Sequence, residues 1–527
     1  MISIQSHGRP QNGNASAFSG FTLRPDQNDL MTQIKRAVAS GKRRIAVQAG
    51  CSYGKTVVSA AITNGALSKS NRVMFTVPSI GLVEQTAQKF FRAGIYHSGI
   101  IQANHPGADL SAPVQIASVQ SLMRRSKIPE AAVVMLDEFH IWFKFYERWM
   151  NDPAWKDVVF ICWSATPWTK GLAKHFDCFI VAATLKEMIE SGLSCNFDSY
   201  APKSKIKPDL SKVDTVTDPT TGERDYNTKQ LSKLMRDPVL VGNCVKEWLE
   251  RGEDKPTLLF GVDRAHAKDL QEAFEKAGIK TGYMDKDTSP ADRTKIGRQL
   301  EQRDISVVSQ VATCIYGIDW PFLGCISWNR PSKSEMRFVQ GFGRGVRLDP
   351  NDPAKRLIFI DHSNTSATLG LPTEIHHAEL CDGTKHSAEL RKKEREERQE
   401  KLPWECPVCA RLNNASITKC ADSACPYDRR RRSGVEYVEG ELIAVRPSVR
   451  DQVTQAQKQL WYSSLLAVQD QRKYKDGWAY RQFARKFKGE PEGLSRIRTE
   501  PTPEVLNYVK ASQIRWAHSR YNSARAA

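Results

Sequence analysis

The stretch Ile45–Ala60, IAVQAGCSYGKTVVSA, decides how the rest of the chain is read. Ile45 to Val47 is a short apolar run, and Val57 to Ala61 is an apolar stretch suited to a helix packed on a sheet. A strand that gives way through a small-residue turn to a helix presents backbone N–H groups and a helix dipole to an anion. The nucleotide-loop pattern G-x-x-x-x-G-K-[ST] is broken at Ala49, where its first glycine belongs, but Gly54, Lys55 and Thr56 are in place. In that geometry Lys55 reaches the terminal phosphates and the Thr56 hydroxyl binds magnesium. The competing reading is a chance Gly-Lys-Thr at the start of an ordinary helix.

Composition narrows the field. The 527 residues leave room for roughly three domains of about 150 residues each. A hydrophobic share of 40% beside 26% charged residues is that of a globular protein with real cores. The net charge of +18 favours a polyanionic partner, nucleic acid above all, over a merely basic surface. No run of about 18 apolar residues exists, so neither a membrane span nor a membrane partner is expected. The first twenty residues lack the apolar core of a signal peptide and read as a disordered lead. A cytoplasmic setting, in a bacterium or a phage-infected host, is expected. Most of the twelve cysteines are solitary; only Cys406, Cys409, Cys420 and Cys425 cluster, which argues for metal and against cross-links.

Outward from the opening stretch, the runs RIAVQA, RVMFTVP, VQIAS, AAVVMLDE and VVFICWSAT read as buried parallel strands, with helical spacing between them. The same alternation resumes in PTLLFGV, KTGYM, ISVVSQVAT, GCISWNR and RLIFID. Both halves are therefore expected to be α/β, each a parallel sheet with helices on both faces. The organisation read from the sequence is a lead over 1–17, a first domain over 18–199, a linker or insertion over 200–235 and a second domain over 236–380. A charged linker or helix over 381–402, a four-cysteine module over 403–428, a basic linker over 429–449 and a helical module over 450–527 complete it.

The strand AAVVMLDEFH ends in Asp137, Glu138, Phe139 and His140. Acidic residues at the carboxyl end of a buried parallel strand lie where open α/β sheets bind ligands. There Asp137 would hold magnesium and Glu138 would polarise an attacking water. QAGCSYGKT, DEFH and SATP, in this order, resemble the motifs of superfamily-two helicases with a DExH box, in the branch holding the XPB and UvsW helicases and restriction-enzyme motor subunits. The resemblance covers about Phe18 to Leu380 and settles the opening stretch as a phosphate loop. It implies two tandem RecA-like domains and an ATP-dependent DNA helicase or translocase. ATP contacts are implied for Arg24 and Gln27, with Gln27 facing the base edge. The loop residues Ala49, Gly50, Cys51, Ser52, Tyr53, Gly54, Lys55 and Thr56, with Gly317 and Asp319, are implied as further contacts. Lys55, Asp137, Glu138, Gln340, Arg344 and Arg347 are implied as catalytic, the last three from QGFGRGVR. His140, Ser164 and Thr166 are implied to couple nucleotide state to domain movement. The family's usual glycine is Ser52 here. A motor moving on duplex DNA without separating strands, and an adaptor with vestigial ATPase parts, are the alternatives.

The cysteines are spaced C-x2-C-x10-C-x4-C, two chelating pairs across a short loop, which suits a four-thiolate zinc site. The spacing resembles the Ran-binding-protein type of finger, with Trp404 ahead and Asn413 inside. Arg429 to Arg432 are read either as phosphate contacts or as a solvated or targeting charge run. Beyond them Trp478, Tyr480, Phe483, Phe487 and Trp516 alternate with basic residues, which suits base stacking or, at helical spacing, a small core. This tail resembles one found on phage and prophage helicases. The expected partners are nucleic acid, DNA ahead of RNA, and replication or recombination proteins.

Overall fold

The structure is a computed structural model. It describes residues 22–512 apart from 103–104, 202–205, 219–221, 312–318, 400–401, 430–434, 439–440, 445–454, 488, 503, 507 and 510–511. The expected lead, Gly317, most of the basic linker after Arg429, and Trp516 lie outside the described residues. The chain divides into two compact units, residues 1–430 and 431–527.

The first domain runs α1 (Pro25–Ala39), β1 (Arg44–Ala49), α2 (Lys55–Leu67), β2 (Val73–Val77), α3 (Gly81–Arg92), β3 (Ser98–Ile101), β4 (Val114–Ser118), α4 (Val119–Met123), β5 (Val133–Asp137), α5 (Lys144–Asn151), β6 (Val159–Ser164), β7 (Cys178–Ala183) and α6 (Leu185–Glu190). Its seven strands lie in the order β3-β4-β2-β5-β6-β1-β7. All the described pairings in it are parallel. Successive side chains of a strand point to opposite faces, and both faces are filled. Ile45, Val47, Ala49 and Met135 join one core with α1 to α3, while Ala46, Val134 and Leu136 join another with α4 and α5. That double burial is why these strands are continuous apolar runs and not alternating ones. Register then fixes the site: Gln48 pairs Ser164, and Asp137 pairs Trp163. The ends of β1, β5 and β6 are thus level.

The second domain begins earlier than expected. Strand β8 (Phe197–Tyr200), which straddles the boundary drawn after Ser199, forms the edge of the second sheet and pairs in parallel with the strand that begins at Leu357. After it come β9 (Thr215–Thr217), β10 (Arg224–Tyr226), α7 (Thr228–Met235), α8 (Pro238–Arg251), β11 (Thr257–Phe260), α9 (Arg264–Lys276), β12 (Thr281–Met284), α10 (Pro290–Glu301), β13 (Val307–Gln310), β14 (Cys325–Trp328), α11 (Glu335–Phe342), β15 (Leu357–Asp361) and α12 (Thr365–Leu369). The sheet order is β12-β13-β11-β14-β15-β8, again with parallel pairings. Leu258 and Phe260 enter one core and Leu259 the other. The expected linker over 200–235 is ordered by polar contacts where it is described. Asp225 of the β9–β10 hairpin is buried; it accepts the Lys333 backbone N–H at 2.8 Å and pairs with Arg337.

The charged stretch after Leu380 is a docked helix, α13 (Lys385–Gln399). It has no apolar face, and a buried ion network holds it instead. Glu335, 1% exposed, accepts from Arg398 at 2.7 Å, Arg395 at 3.1 Å and His377 at 2.8 Å. Arg391 of the same helix donates to the Trp168 carbonyl of the first domain at 2.7 Å. In the four-cysteine module, β16 (Trp404–Glu405) pairs antiparallel with β17 (Leu412–Asn413). The second unit holds the hairpin β18 (Val435–Val438) and β19 (Glu441–Ala444), with α14 (Gln455–Gln471) and α15 (Trp478–Phe487). Its core gathers Tyr462, Leu465, Val468, Phe483, Val505 and Val509, with Trp478 and Phe487 packed against it. Those aromatics are core, as helical spacing allowed; Tyr480 is exposed.

Candidate nucleotide site and metal centre

The turn between β1 and α2 is built from two left-handed residues, Gly54 at φ +90° and Ser52 at φ +77°. A Cβ at Gly54 would lie 2.6 Å from Gln27 Nε2, so glycine is required there by space as well as by conformation. Ser52 occupies a backbone region costly to a residue with a Cβ, about 1 kcal/mol or more. Its Oγ is buried without a hydrogen-bond partner. One buried apolar side chain in the flanking strands outweighs that strain, at about 1.5–3 kcal/mol each.

α1 braces this turn. Gln27 Nε2 and Arg24 Nη2 both donate to the Tyr53 carbonyl, at 3.0 and 2.9 Å, and the Tyr53 hydroxyl donates to the Asp26 carbonyl at 3.0 Å. Gln27 is 2% exposed with its amide engaged by the loop, so the structure places it behind the turn, not on an open base edge. Arg24 lines the cleft.

At the start of α2, Lys55 Nζ stands 3.1 Å from Glu138 Oε1 and 3.9 Å from Asp137 Oδ1. Burial alone would lower the lysine's pKa, but the two carboxylates outweigh it and raise it, so the ammonium stays charged. The acids part company. Burial, with the Glu138 charge adding to it, raises Asp137 against the pull of Lys55. Burial would raise Glu138 as well, but Lys55, His140 and Arg344 hold it well below the carboxylate range. Glu138 sits at φ +48°, the strained conformation that accumulates at functional positions.

Behind the acids a polar chain crosses between the domains. His140 Nδ1 is 3.3 Å from Glu138 Oε2 and 2.9 Å from Ser164 Oγ, and Ser164 Oγ accepts the Thr166 N–H at 3.0 Å. From the second domain, Gln340 Nε2 donates to Thr166 Oγ1 at 2.8 Å and lies 3.0 Å from His140 Nε2. Gln340, grouped with the arginines by its motif, is 2% exposed and belongs to this chain of contacts. The arginines after it face the cleft. A cavity of about 560 Å³ is lined by the loop with Lys55 and Thr56, by Asp137 and Glu138, and across from them by Asp319, Arg344 and Arg347. Close approach is enforced at Gly343, where a Cβ would meet Cys51 Sγ at 2.5 Å. The sequence offered a signal for that glycine, the G-F-G-R-G run, but no spacing rule singled it out. Lys89, which also lines the cavity, gave none.

Two RecA-like domains, with a Gly-Lys-Thr loop and an Asp-Glu pair on one cleft wall and two arginines on the other, define a superfamily-two ATPase of the DExH-box class. Residues 20–168 match the family described as Type III restriction enzyme, res subunit, so this part of the chain is similar to restriction-enzyme subunits. A Saccharomyces cerevisiae protein provisionally named ATP-dependent helicase IRC3 is 27% identical over 383 residues, 68% of this chain and 54% of that one. A 51.5 kDa protein of a Lactococcus phage is 24% identical over 340 residues, covering 63% and 68%. The chain thus spans about half the length of the first relative and about two thirds of the second. The ATP-dependent Type ISP restriction-modification enzyme LlaBIII bound to DNA is 16% identical with a TM-score of 0.46, over 65% of this chain and 28% of that one. Among the described residues no helix is long and apolar enough to cross a membrane.

The four cysteine sulfurs lie within 4.8 Å of one another, with Cys406 and Cys425 3.6 Å apart and Cys409 and Cys420 3.5 Å apart. Ligands at about 2.3 Å from a tetrahedral zinc ion stand about 3.8 Å from each other, so the set fits that ion. The module is fixed to the motor through its first knuckle. The Ala410 carbonyl accepts the Ala201 N–H at 3.3 Å, the Cys409 carbonyl accepts from Arg251 at 2.7 Å, and Arg411 pairs with Asp198 of β8. Trp404 is spent inside the module, its indole N–H donating to the Ile417 carbonyl at 2.9 Å.

Proposed function

We propose that this chain is a nucleic-acid-stimulated ATPase that couples hydrolysis to movement along DNA and to strand separation, in replication, recombination or repair. The observation that supports it most is the two-sided cleft, in which Lys55, Asp137 and Glu138 face Arg344 and Arg347. Neither domain holds the full set, so turnover requires both to be apposed. Lys55 would meet the terminal phosphates, and the orphaned Ser52 Oγ is a ready donor to a phosphate oxygen. Thr56 and Asp137 would hold magnesium, which neutralises developing phosphate charge. Glu138, kept ionised, orients the attacking water through its carboxylate. Arg344 and Arg347 stabilise the charge that builds on the transferred phosphoryl, a contribution of about 10³–10⁵ in rate. The chain of contacts from Glu138 through His140 to Gln340 gives the second domain a direct mechanical link to the hydrolytic acid. The four cysteines would hold zinc. A second reading, tracking along duplex DNA without unwinding, is favoured by the match to a restriction-enzyme subunit.

Phosphate release with single-stranded DNA, duplex DNA and RNA, beside strand displacement on both overhang polarities, tests this reading. DNA should stimulate hydrolysis, Lys55→Ala should abolish it, and Glu138→Gln should abolish it while ATP still binds. Stimulation by duplex without displacement would select the second reading. Hydrolysis near wild type in either variant would refute both.

A further inference from the structure

One face of α3 forms a wall of the nucleotide cleft. Leu82, Gln85, Lys89 and Arg92 recur at intervals of three and four, which places them on one stripe of the helix, and all four line the cavity. Lys89 reaches across it. Its Nζ stands 2.8 Å from Asp319 Oδ2, while Arg347 pairs with Oδ1 of the same carboxylate. Asp319 is therefore gripped by one cation from each domain. Burial alone would raise its carboxyl, but Arg347 and Lys89 together bring it down to about 2, so it stays ionised between them.

The two cations differ in what they report. Arg347 and Asp319 both belong to the second domain, so their pair survives any separation of the domains. Lys89 belongs to the first, so its pair exists only when the cleft is closed. The side chains are 43% and 45% exposed, and an ion pair this accessible contributes little to stability. Its consequence is geometric. Asp319 held from both sides gives the Arg347 guanidinium a fixed partner, and the turn from Gly343 to Arg347 carries Arg344 with it. We propose that Lys89 is a positioning residue for ATP hydrolysis, docking on Asp319 as the cleft closes and so setting Arg347 and Arg344 against the nucleotide. This rests on the ATPase reading above. Two other roles are open to a lysine here. It could serve only as a cation in the last turn of α3, where the helix dipole favours one, or it could touch the nucleotide directly.

The test is a double-mutant cycle in the full-length chain, reading DNA-stimulated ATP hydrolysis for wild type, Lys89→Met, Lys89→Arg, Asp319→Asn and the Lys89→Met/Asp319→Asn double variant. Lys89→Met should lower kcat about tenfold, a coupling of ordinary size for contacting residues, with the KM for ATP moved by less than about twofold. Lys89→Arg should restore most of the rate. In the Asp319→Asn background, Lys89→Met should add nothing further. A Lys89→Met variant with wild-type kcat overturns the proposal, and so do independent losses that multiply in the double variant, which would make Lys89 a nucleotide contact. Zero-length carbodiimide coupling, read by peptide mass spectrometry, tests the pair without activity. Wild type should yield a Lys89–Asp319 amide, as it should for Lys207 and Glu405, which are 3.1 Å apart. A wild-type chain that hydrolyses no ATP overturns the ATPase reading and the role with it. A missing Lys89–Asp319 cross-link with hydrolysis intact overturns the role alone.

Discussion

Ser52 and Gly54 show how a phosphate loop keeps its shape when one of its expected glycines is absent. Both residues are left-handed, but only Gly54 adopts that conformation without cost. The serine at position 52 was legible in the sequence as a departure; its consequence, a strained backbone with an orphaned hydroxyl, needed the structure. Ser52→Gly removes both penalties, and the chain entropy it adds to the unfolded state offsets only part of that gain, so it should stabilise the protein by about 0.5–1 kcal/mol, read as a rise in the denaturant midpoint at unchanged slope. A fall in stability would mean that the turn carries no strain at this position. The acids behave differently from the loop. The sequence placed Asp137 and Glu138 side by side at a strand end with no sign that their titration would diverge. The divergence comes from the surroundings: Lys55 and Arg344, distant in sequence, act on Glu138 together with His140, two residues on. Gln27 and Gln340 illustrate the same limit. Motif spacing singled out both, whereas their hydrogen-bond partners, Tyr53 for one and His140 with Thr166 for the other, follow from packing.

Strands buried on both faces were legible, whereas of the four edge strands only β12, in KTGYM, was read from the sequence. The runs around β1, β2, β4, β5 and β6 are apolar because both sheet faces are covered. Ser98–Ile101, Cys178–Ala183 and Phe197–Tyr200 lie at sheet edges, and the last two have only partly buried side chains at most positions. Losing one neighbour relaxes the demand for apolar residues, and with it the sequence signal. A domain boundary after Ser199 misplaces strand β8 for that reason. Its outer edge is covered by the four-cysteine module, so the cysteine cluster is attached to the second sheet and does not stand apart as a free finger. Since the Cys409 and Ala410 carbonyls both contact the motor, loss of the metal should loosen this junction. Chelation should speed amide exchange at Ala201, whose N–H donates to Ala410, and along β8, while the central strands β11 and β14 keep their protection. Exchange at Ala201 that ignores the chelator would show that the knuckle holds without metal. Helix α13 was legible only as one of two readings, a charged linker or a helix, and its docking was not legible at all. Its docking rests on a buried ion network around Glu335, and ion pairing of that kind leaves no hydrophobic period to read.

Charge is unevenly spread over the whole chain. The unit from residue 431 onward carries 18 lysines and arginines against 10 acids in 97 residues, while the chain as a whole has a net charge of +18. That excess of positive charge motivates the expectation of a backbone anchor for nucleic acid in this unit, whose described aromatics are largely occupied by its own core. Removing it by truncation after Arg430 should weaken single-stranded DNA binding and flatten its salt dependence by about 0.7 for each phosphate no longer neutralised. The motor and the cysteine module stay intact in the remaining chain, so hydrolysis without DNA should persist; an unchanged slope would place the anchor in the motor. The central claim is that hydrolysis is completed only when the second domain brings its arginines to the first domain's acids. The most direct test is DNA-stimulated phosphate release by Arg344→Ala, measured beside the binding of a fluorescent ATP analogue. The two-domain site predicts a rate at least about 10³ below wild type with the analogue still bound. Phosphate release within a few-fold of wild type would contradict it.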